Sequence, residues 1–131
     1  MDSLQVRTGQ VSLRILDDDG EERGIFRFNP EDIESAKRVM ALQDELQAKL
    51  EEFGKRNEAC ESAEERVELL SETVTYFRNI IDDCFGLGTS DLVFGTARSL
   101  SMFSDFITGI TPYYTKASKE RTAKYRKTPK A

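Results

Sequence analysis

The sequence predicts a mainly α domain with a short N-terminal β-hairpin, built as an antiparallel helical hairpin plus a C-terminal long helix. Three observations carry this. Apolar residues recur at spacings of three and four over residues 30–57, 62–84 and 99–125, the period of a helix with one buried face. Residues 10–28 instead alternate with period two around an Asp/Gly turn, the pattern of a half-buried hairpin. The chain has 131 residues, enough for one core without metals or disulfides and too few for a second folded domain beside a catalytic one.

In the hairpin, Val11, Leu13 and Ile15 alternate with Ser12, Arg14 and Leu16, and Phe26 and Phe28 flank Arg27. Asp17-Asp18-Asp19-Gly20 is the turn, because Asp side chains satisfy nearby amides and Gly reaches left-handed backbone. The acidic loop does not suit calcium. With Gly20 as an EF-hand glycine, the first and twelfth ligand positions fall on Ile15 and Phe26, which offer no side-chain oxygen.

Asn29-Pro30-Glu31-Asp32 starts a helix over 30–57, with Asn as cap, Pro at the first helical position and two acids facing the positive end of the dipole. Val39, Leu42, Leu46, Leu50 and Phe53 form its stripe, widened by Ala36 and Met40. After a break across 54–61, Ser62 and Glu65 make a capping box for a helix over 62–84. There Val67, Leu70, Val74, Phe77, Ile81 and Cys84 alternate in steps of three and four, a seam for lengthwise packing on another helix. A short connection makes the two helices antiparallel neighbours; a short coiled coil between chains is the alternative. Cys84, on this seam, reads as a small core residue.

Gly86 suits the left-handed end of that helix. Gly86 and Gly88 do not make a phosphate loop, since no third Gly follows at the dinucleotide spacing and no Gly-Lys-Ser/Thr occurs. Residues 89–95 read as a one-turn helix capped by Thr89 or Ser90 and closed by Gly95, a pivot between long helices. The last helix should be interrupted or kinked near Gly109–Pro112, because Pro lacks an amide and crowds the preceding turn. Leu100, Phe103, Ile107, Ile110 and Tyr114 make one stripe, widened by Met102, Phe106 and Tyr113. So broad a sector is either all core or, from Phe94 to Tyr114, surplus aromatic surface for a partner or a second subunit. The pivot lets the last helix fold back on its own pair or swap onto a neighbour.

The charge layout divides the chain into a helical domain over 1–115 and a basic extension over 116–131. Net charge is −5. The extension holds Lys116, Lys119, Arg121, Lys124, Arg126, Lys127 and Lys130 against Glu120 alone, net +6, and the remainder carries 12 basic and 23 acidic side chains, net −11. An acidic body repels phosphate, and seven positive charges with one Tyr are a weak nucleic-acid signal. The extension has no apolar face to lie on a membrane. No apolar run approaches the roughly 20 residues of a membrane span, and the N-terminus shows no secretory signal. Cys60 and Cys84 have no metal-ligand or Cys-x-x-Cys spacing and read as free thiols of a reducing, cytoplasmic compartment.

A chemistry is not announced. The sequence contains no His, which removes triads with a His base, imidazole zinc sites and His pH switching. Neighbouring acids such as Glu64-Glu65 and Asp82-Asp83 point roughly 100° apart on a helix and do not converge on a substrate; capping or solvation accounts for them. The expectation is a protein without enzymatic activity, metal or cofactor.

Phe85-Gly86-x-Gly88-Thr89, Val93-Phe94-Gly95, Ser99-Leu100, Phe103, Phe106 and Pro112-Tyr113, followed by Lys124-Tyr125, together resemble a small tail assembly chaperone of long-tailed bacteriophages and prophages of Gram-positive bacteria. The resemblance covers about residues 76–127, and the Asn-Pro-Glu-Asp start after a short hairpin fits it. It implies a scaffold role in the bacterial host cytoplasm: binding the apolar, helical tape measure protein, keeping it soluble and recruiting tail tube subunits, with a homo-oligomer expected. It places the partner surface on Phe94, Phe103, Phe106, Ile107, Ile110 and Tyr113 and makes Gly86, Gly88 and Gly95 backbone requirements. The alternatives are a structural or adaptor subunit of a phage particle and a nucleic-acid binder acting through the basic tail.

Overall fold

A computed structural model of the chain describes the backbone of residues 1–126 and the side chains of residues 1–123. The elements run β1 (Val11–Leu16), β2 (Glu22–Phe28), α1 (Ile33–Ala59), α2 (Ala63–Phe85), α3 (Thr89–Phe94) and α4 (Ser101–Arg126). The chain is therefore mainly α with an N-terminal antiparallel hairpin, the class its periodicities predict.

The hairpin pairs Val11 with Phe28, Leu13 with Phe26 and Ile15 with Gly24 on one face. That face turns to the core, burying Phe26 and Phe28 and half-burying the three β1 residues. Asp17 holds the turn by accepting from the amides of Asp19 and Glu21, each at 2.9 Å. The register shifts between Ile15 and Leu16, leaving Arg23 as the extra residue. Gly24 beside it has φ +155°, and a β-carbon there would meet Leu92 at 2.6 Å, so α3 sits close against this strand.

The first helix begins three residues later than its sequence suggests. Asn29 does not cap it; its Oδ1 accepts from the amides of Glu31 and Asp32 in a turn of its own. Asp32 is the cap, accepting from the Ser35 amide at 2.9 Å. The helix also runs through Gly54 to Ala59, so the expected break shrinks to a short link. At α2 the Ser half of the expected capping box forms, Ser62 Oγ accepting from the Glu65 amide at 3.1 Å, while Glu65 reaches one residue further back and accepts from the Glu61 amide at 3.2 Å.

Three stripe assignments fail. Met40 is 66% exposed, Val67 65% and Leu50 44%. The last buried residue of α1 is Leu46 and the first of α2 is Leu69, so the tip of the helical hairpin, where Val67 lies, has no third layer over it. Met40 simply lies on the far side of α1 from Leu42. The innermost residues of α2 are Thr73, Val74, Phe77 and Ile81; Thr73 is tolerated there because its hydroxyl donates to the Leu69 carbonyl at 2.8 Å.

Helix α4 is continuous through Pro112, so the expected interruption does not occur. Proline removes the bond to the Thr108 carbonyl, and both Thr108 and Pro112 lie on the exposed side, so the freed carbonyl is not buried without a partner. Helix α4 runs antiparallel to α1. Near the start of α1, Ser35 Oγ and the Tyr114 hydroxyl share a hydrogen bond at 2.7 Å, and further along Gln43 Nε2 donates to Thr111 Oγ1 at 3.1 Å. Seven of the eight Phe form one cluster with Tyr113 and Tyr114, for example Phe77–Phe103 at 5.1 Å and Phe94–Phe103 at 5.0 Å.

The pivot is fastened by polar groups from α2. Arg78 donates to Asp91 at 2.8 Å and to the carbonyls of Gly95 and Ala97 at 2.9 and 3.0 Å. Asp82 accepts from the Ser90 amide at 2.7 Å. Thr89 and Ser90 thus do not cap α3. Gly88 precedes it with left-handed backbone, and Asp82 supplies the capping carboxylate from the neighbouring helix. Arg98 ties the next loop to α2 through Ser71 and Thr75.

Candidate functional site

The six residues expected to form one partner surface are divided by the fold. Phe94, Phe103, Phe106 and Ile110 are buried, at 2–8% exposure, and Ile107 and Tyr113 are half-buried. In this conformation the aromatic sector is mostly core, the first of the two possibilities its breadth allowed. The residues also fall on different sides of α4. Phe103 and Ile107 face α1, Phe94, Phe106 and Ile110 lie under the hairpin, and Tyr113 packs edge-on against Phe28 at 5.6 Å.

What remains open on the α1 side is a groove. Long side chains hold α4 away from α1, in contrast to the close backbone approach of α1 and α2. One hollow of about 270 Å³ lies between Leu46, Leu50, Leu100, Phe103 and Ile107. A second, of about 430 Å³, lies between Val39, Met40, Tyr114 and Arg121. Gln43 borders both and, bonded to Thr111, forms a polar crosspiece between them. Met40 and Leu50, 66% and 44% exposed, give the groove an apolar rim on α1. At its far end Arg121 donates to the Glu31 carbonyl at 3.2 Å. Sequence reasoning missed Gln43 and Thr111, whose role appears only when the two helices are laid side by side.

A second cleft, about 460 Å³, separates β1 from α4 and is lined by Leu13, Ile15, Phe26, Met102, Phe106 and Ile110. Neither cavity gathers groups suited to bond-making. Burial pushes the Cys84 thiol up to about 11. It also raises the Tyr114 phenol, opposed in part by the bond to Ser35. Both shifts disfavour the nucleophilic form at neutral pH. Among the described residues no group of three or more Cys, Asp or Glu side chains is placed to hold a metal ion, and no helix is long and apolar enough to cross a membrane.

Of the basic extension, residues 116–126 continue α4 as helix, so the division at residue 115 is a change of charge and not of secondary structure. Lys116 pairs with Glu120 at 3.9 Å, and both side chains are well exposed. Lys119 and Arg121 border the groove. The side chains of Lys124 and Arg126, and Lys127 and Lys130 altogether, lie outside the described residues.

Residues 22–131 match a family described as "Family of unknown function (DUF6673)". The chain belongs to this family. The matched span runs from β2 through the C-terminus and takes in every groove-forming residue, while β1 precedes it. No curated protein and no solved structure matches the chain.

Proposed function

We propose that this DUF6673 chain is a non-catalytic tail assembly chaperone that seats a helix of the tape measure protein in the groove between α1 and α4. The observation that carries the reading is the groove itself, two hollows in line along α1 and α4, one with an apolar floor of Leu46, Phe103 and Ile107, with exposed Met40 and Leu50 along the rim. Such a trench suits the apolar face of an amphipathic helix, recognised by anchors one helical turn apart. The Phe85–Tyr113 pattern, with its resemblance to phage tail chaperones, supplies the partner. The acidic body, net −11 over residues 1–115, suits a protein that keeps an apolar client in solution. The relevant anchors on α4 are then Ile107 and the edge of Phe103, while Phe94, Phe106 and Ile110 support the helix from beneath.

Co-expression with the tape-measure-like protein of the same genome tests this. The client should become soluble and co-purify with this chain, and Ile107→Glu or Leu50→Glu should abolish co-purification while leaving the helical content unchanged. A client that stays insoluble, or one that binds both variants as well as the parent, overturns the reading. Mass spectrometry of finished particles separates a chaperone, which is absent from them, from the structural or adaptor subunit, which is present.

A further inference from the structure

We infer that the N-terminal segment of one copy, residues 3–7, adds as a third strand to the open edge of β1 in a second copy. The sheet has two strands, so each strand has one unpaired edge. Helix α3 packs against β2, whereas the far edge of β1 is left as a row of backbone donors and acceptors ready for another strand. Strand β1 carries none of the usual guards against this: it has no Pro and no Lys, and Arg14 is its only charge. The cleft between β1 and α4 widens the opportunity. Its walls are Leu13 and Ile15 on β1 and Met102, Phe106 and Ile110 on α4, and at Gly109 the α4 wall is open, since a β-carbon there would meet nothing within 4 Å.

The matching donor lies in the same chain. Leu4 and Val6 are 87% and 70% exposed, two residues apart, with Ser3, Gln5 and Arg7 between and around them. In an extended strand both would face the side that Leu13 and Ile15 face on β1, and Ser3, Gln5 and Arg7 would face water. A chain does not lay this segment on its own β1. Asn29 Nδ2, just beyond the end of β2, donates to the Thr8 carbonyl at 2.8 Å. Gly9 bends the backbone there at φ +96°, with the Glu31 carboxylate filling the space where a β-carbon would be. The segment is thereby turned toward the β2–α1 corner and away from the outer edge of β1. A second copy has no such restraint. Its segment would gain main-chain hydrogen bonds along β1 and place Leu4 and Val6 in the cleft beside Phe106, the strand-addition mode of recognition. Reciprocal donation closes the pair at two copies.

Sedimentation of the full chain over a concentration series tests this, with amide exchange on the same samples. The parent should pass from one copy to two, with β1 amides exchanging more slowly at high concentration. Leu4→Asp with Val6→Asp, both at exposed positions, should weaken dimerisation roughly 100-fold with unchanged thermal unfolding of the monomer. Gly109→Trp, which fills the cleft, should weaken it from the acceptor side, and mixing the two variants should restore a mixed dimer through the one intact donor and the one intact cleft. A parent that stays monomeric throughout overturns the inference. So does a double variant that still dimerises, which would place the interface elsewhere. Protection of the β1 amides that point away from β2, if it does not depend on concentration, overturns it as well, because the segment would then be folded on its own strand.

Discussion

The α1–α2 pair and the α3–α4 arm bury comparable apolar stripes but are held in different ways. In the first, Leu42, Leu46, Val74 and Ile81 belong to one core cluster on two helices whose backbones lie close. In the second, aromatic rings act as spacers, and Arg78, Asp82 and Arg98 fix the loops by hydrogen bonds to backbone and hydroxyl groups. Aliphatic stripes bring helices together and leave little between them. Rings hold a helix at a distance and leave clefts on both of its sides, which is why the three hollows described above all border α4. The open surface follows from the size of the spacers and not from a shortage of apolar residues.

Phe77 joins the two regions, since it is 1% exposed on α2 and meets Phe103 edge-on. Truncating it should therefore produce the largest loss. Phe77→Ala removes a ring from the centre of the core and should cost about 3–5 kcal/mol, read as a fall in the midpoint of urea unfolding. If the arm were only loosely attached, Phe103→Ala would cost far less than Phe77→Ala. Similar losses would show that the arm unfolds together with the helical hairpin.

Arg78 sharpens the contrast next. Its side chain is 14% exposed, while that of Asp91 is 86% exposed, so the ion pair itself is worth little. The stabilisation comes from the two loop carbonyls that the guanidinium satisfies. Arg78→Met should cost about 2 kcal/mol, and Asp91→Asn less than about 0.5 kcal/mol. Equal losses in the two variants would assign the effect to the charge pair.

The same contrast explains what was legible in the sequence. The hairpin face, the Ser62 cap and the centre of the α1–α2 seam are set by near neighbours in the chain, and each appears where periodicity and capping rules place it. Met40, Leu50 and Val67 are exposed despite their stripe positions because a helical stripe tells which residues share a face but not where the covering layer ends. Pro112 does not interrupt the helix because its lost hydrogen bond falls on the solvent side, a fact of tertiary placement. The candidate surface was harder still. The aromatic residues of α4 were visible, but the split into an α1 side and a hairpin side depends on the direction of the returning helix. Asp82 shows the limit most plainly, as a cap acting on an amide eight residues away in another helix.

A smaller effect comes from the turn that opens α2. Ser62→Ala removes the bond to the Glu65 amide and should cost about 1 kcal/mol in equilibrium unfolding. Because the hairpin tip lacks a third layer, amide exchange should quicken first in the opening turn of α2 and in the last turn of α1, with the α4 amides unchanged.

The weakest expected effect is alkaline, and it also separates the two regions. The Cys84 thiol, pushed up to about 11 by burial and lowered in part by Arg38, is favoured in its protonated form by the folded chain. Unfolding lets it ionise from the ordinary value of 9.0. Its contribution is thus complete below pH 9 and lost as pH rises toward 11. Tyr114, raised by burial, and Tyr76, raised first by its bond to Glu45, act in the same direction. Cys84→Ala should therefore flatten, without abolishing, the fall in thermal midpoint between pH 9 and 11. Cys84 is half-exposed, so solvent screening keeps the change small. An unaltered alkaline slope in the variant would mean that water reaches the seam between α2 and Tyr114 freely, and that the ring-spaced side of the molecule is looser than its contacts indicate.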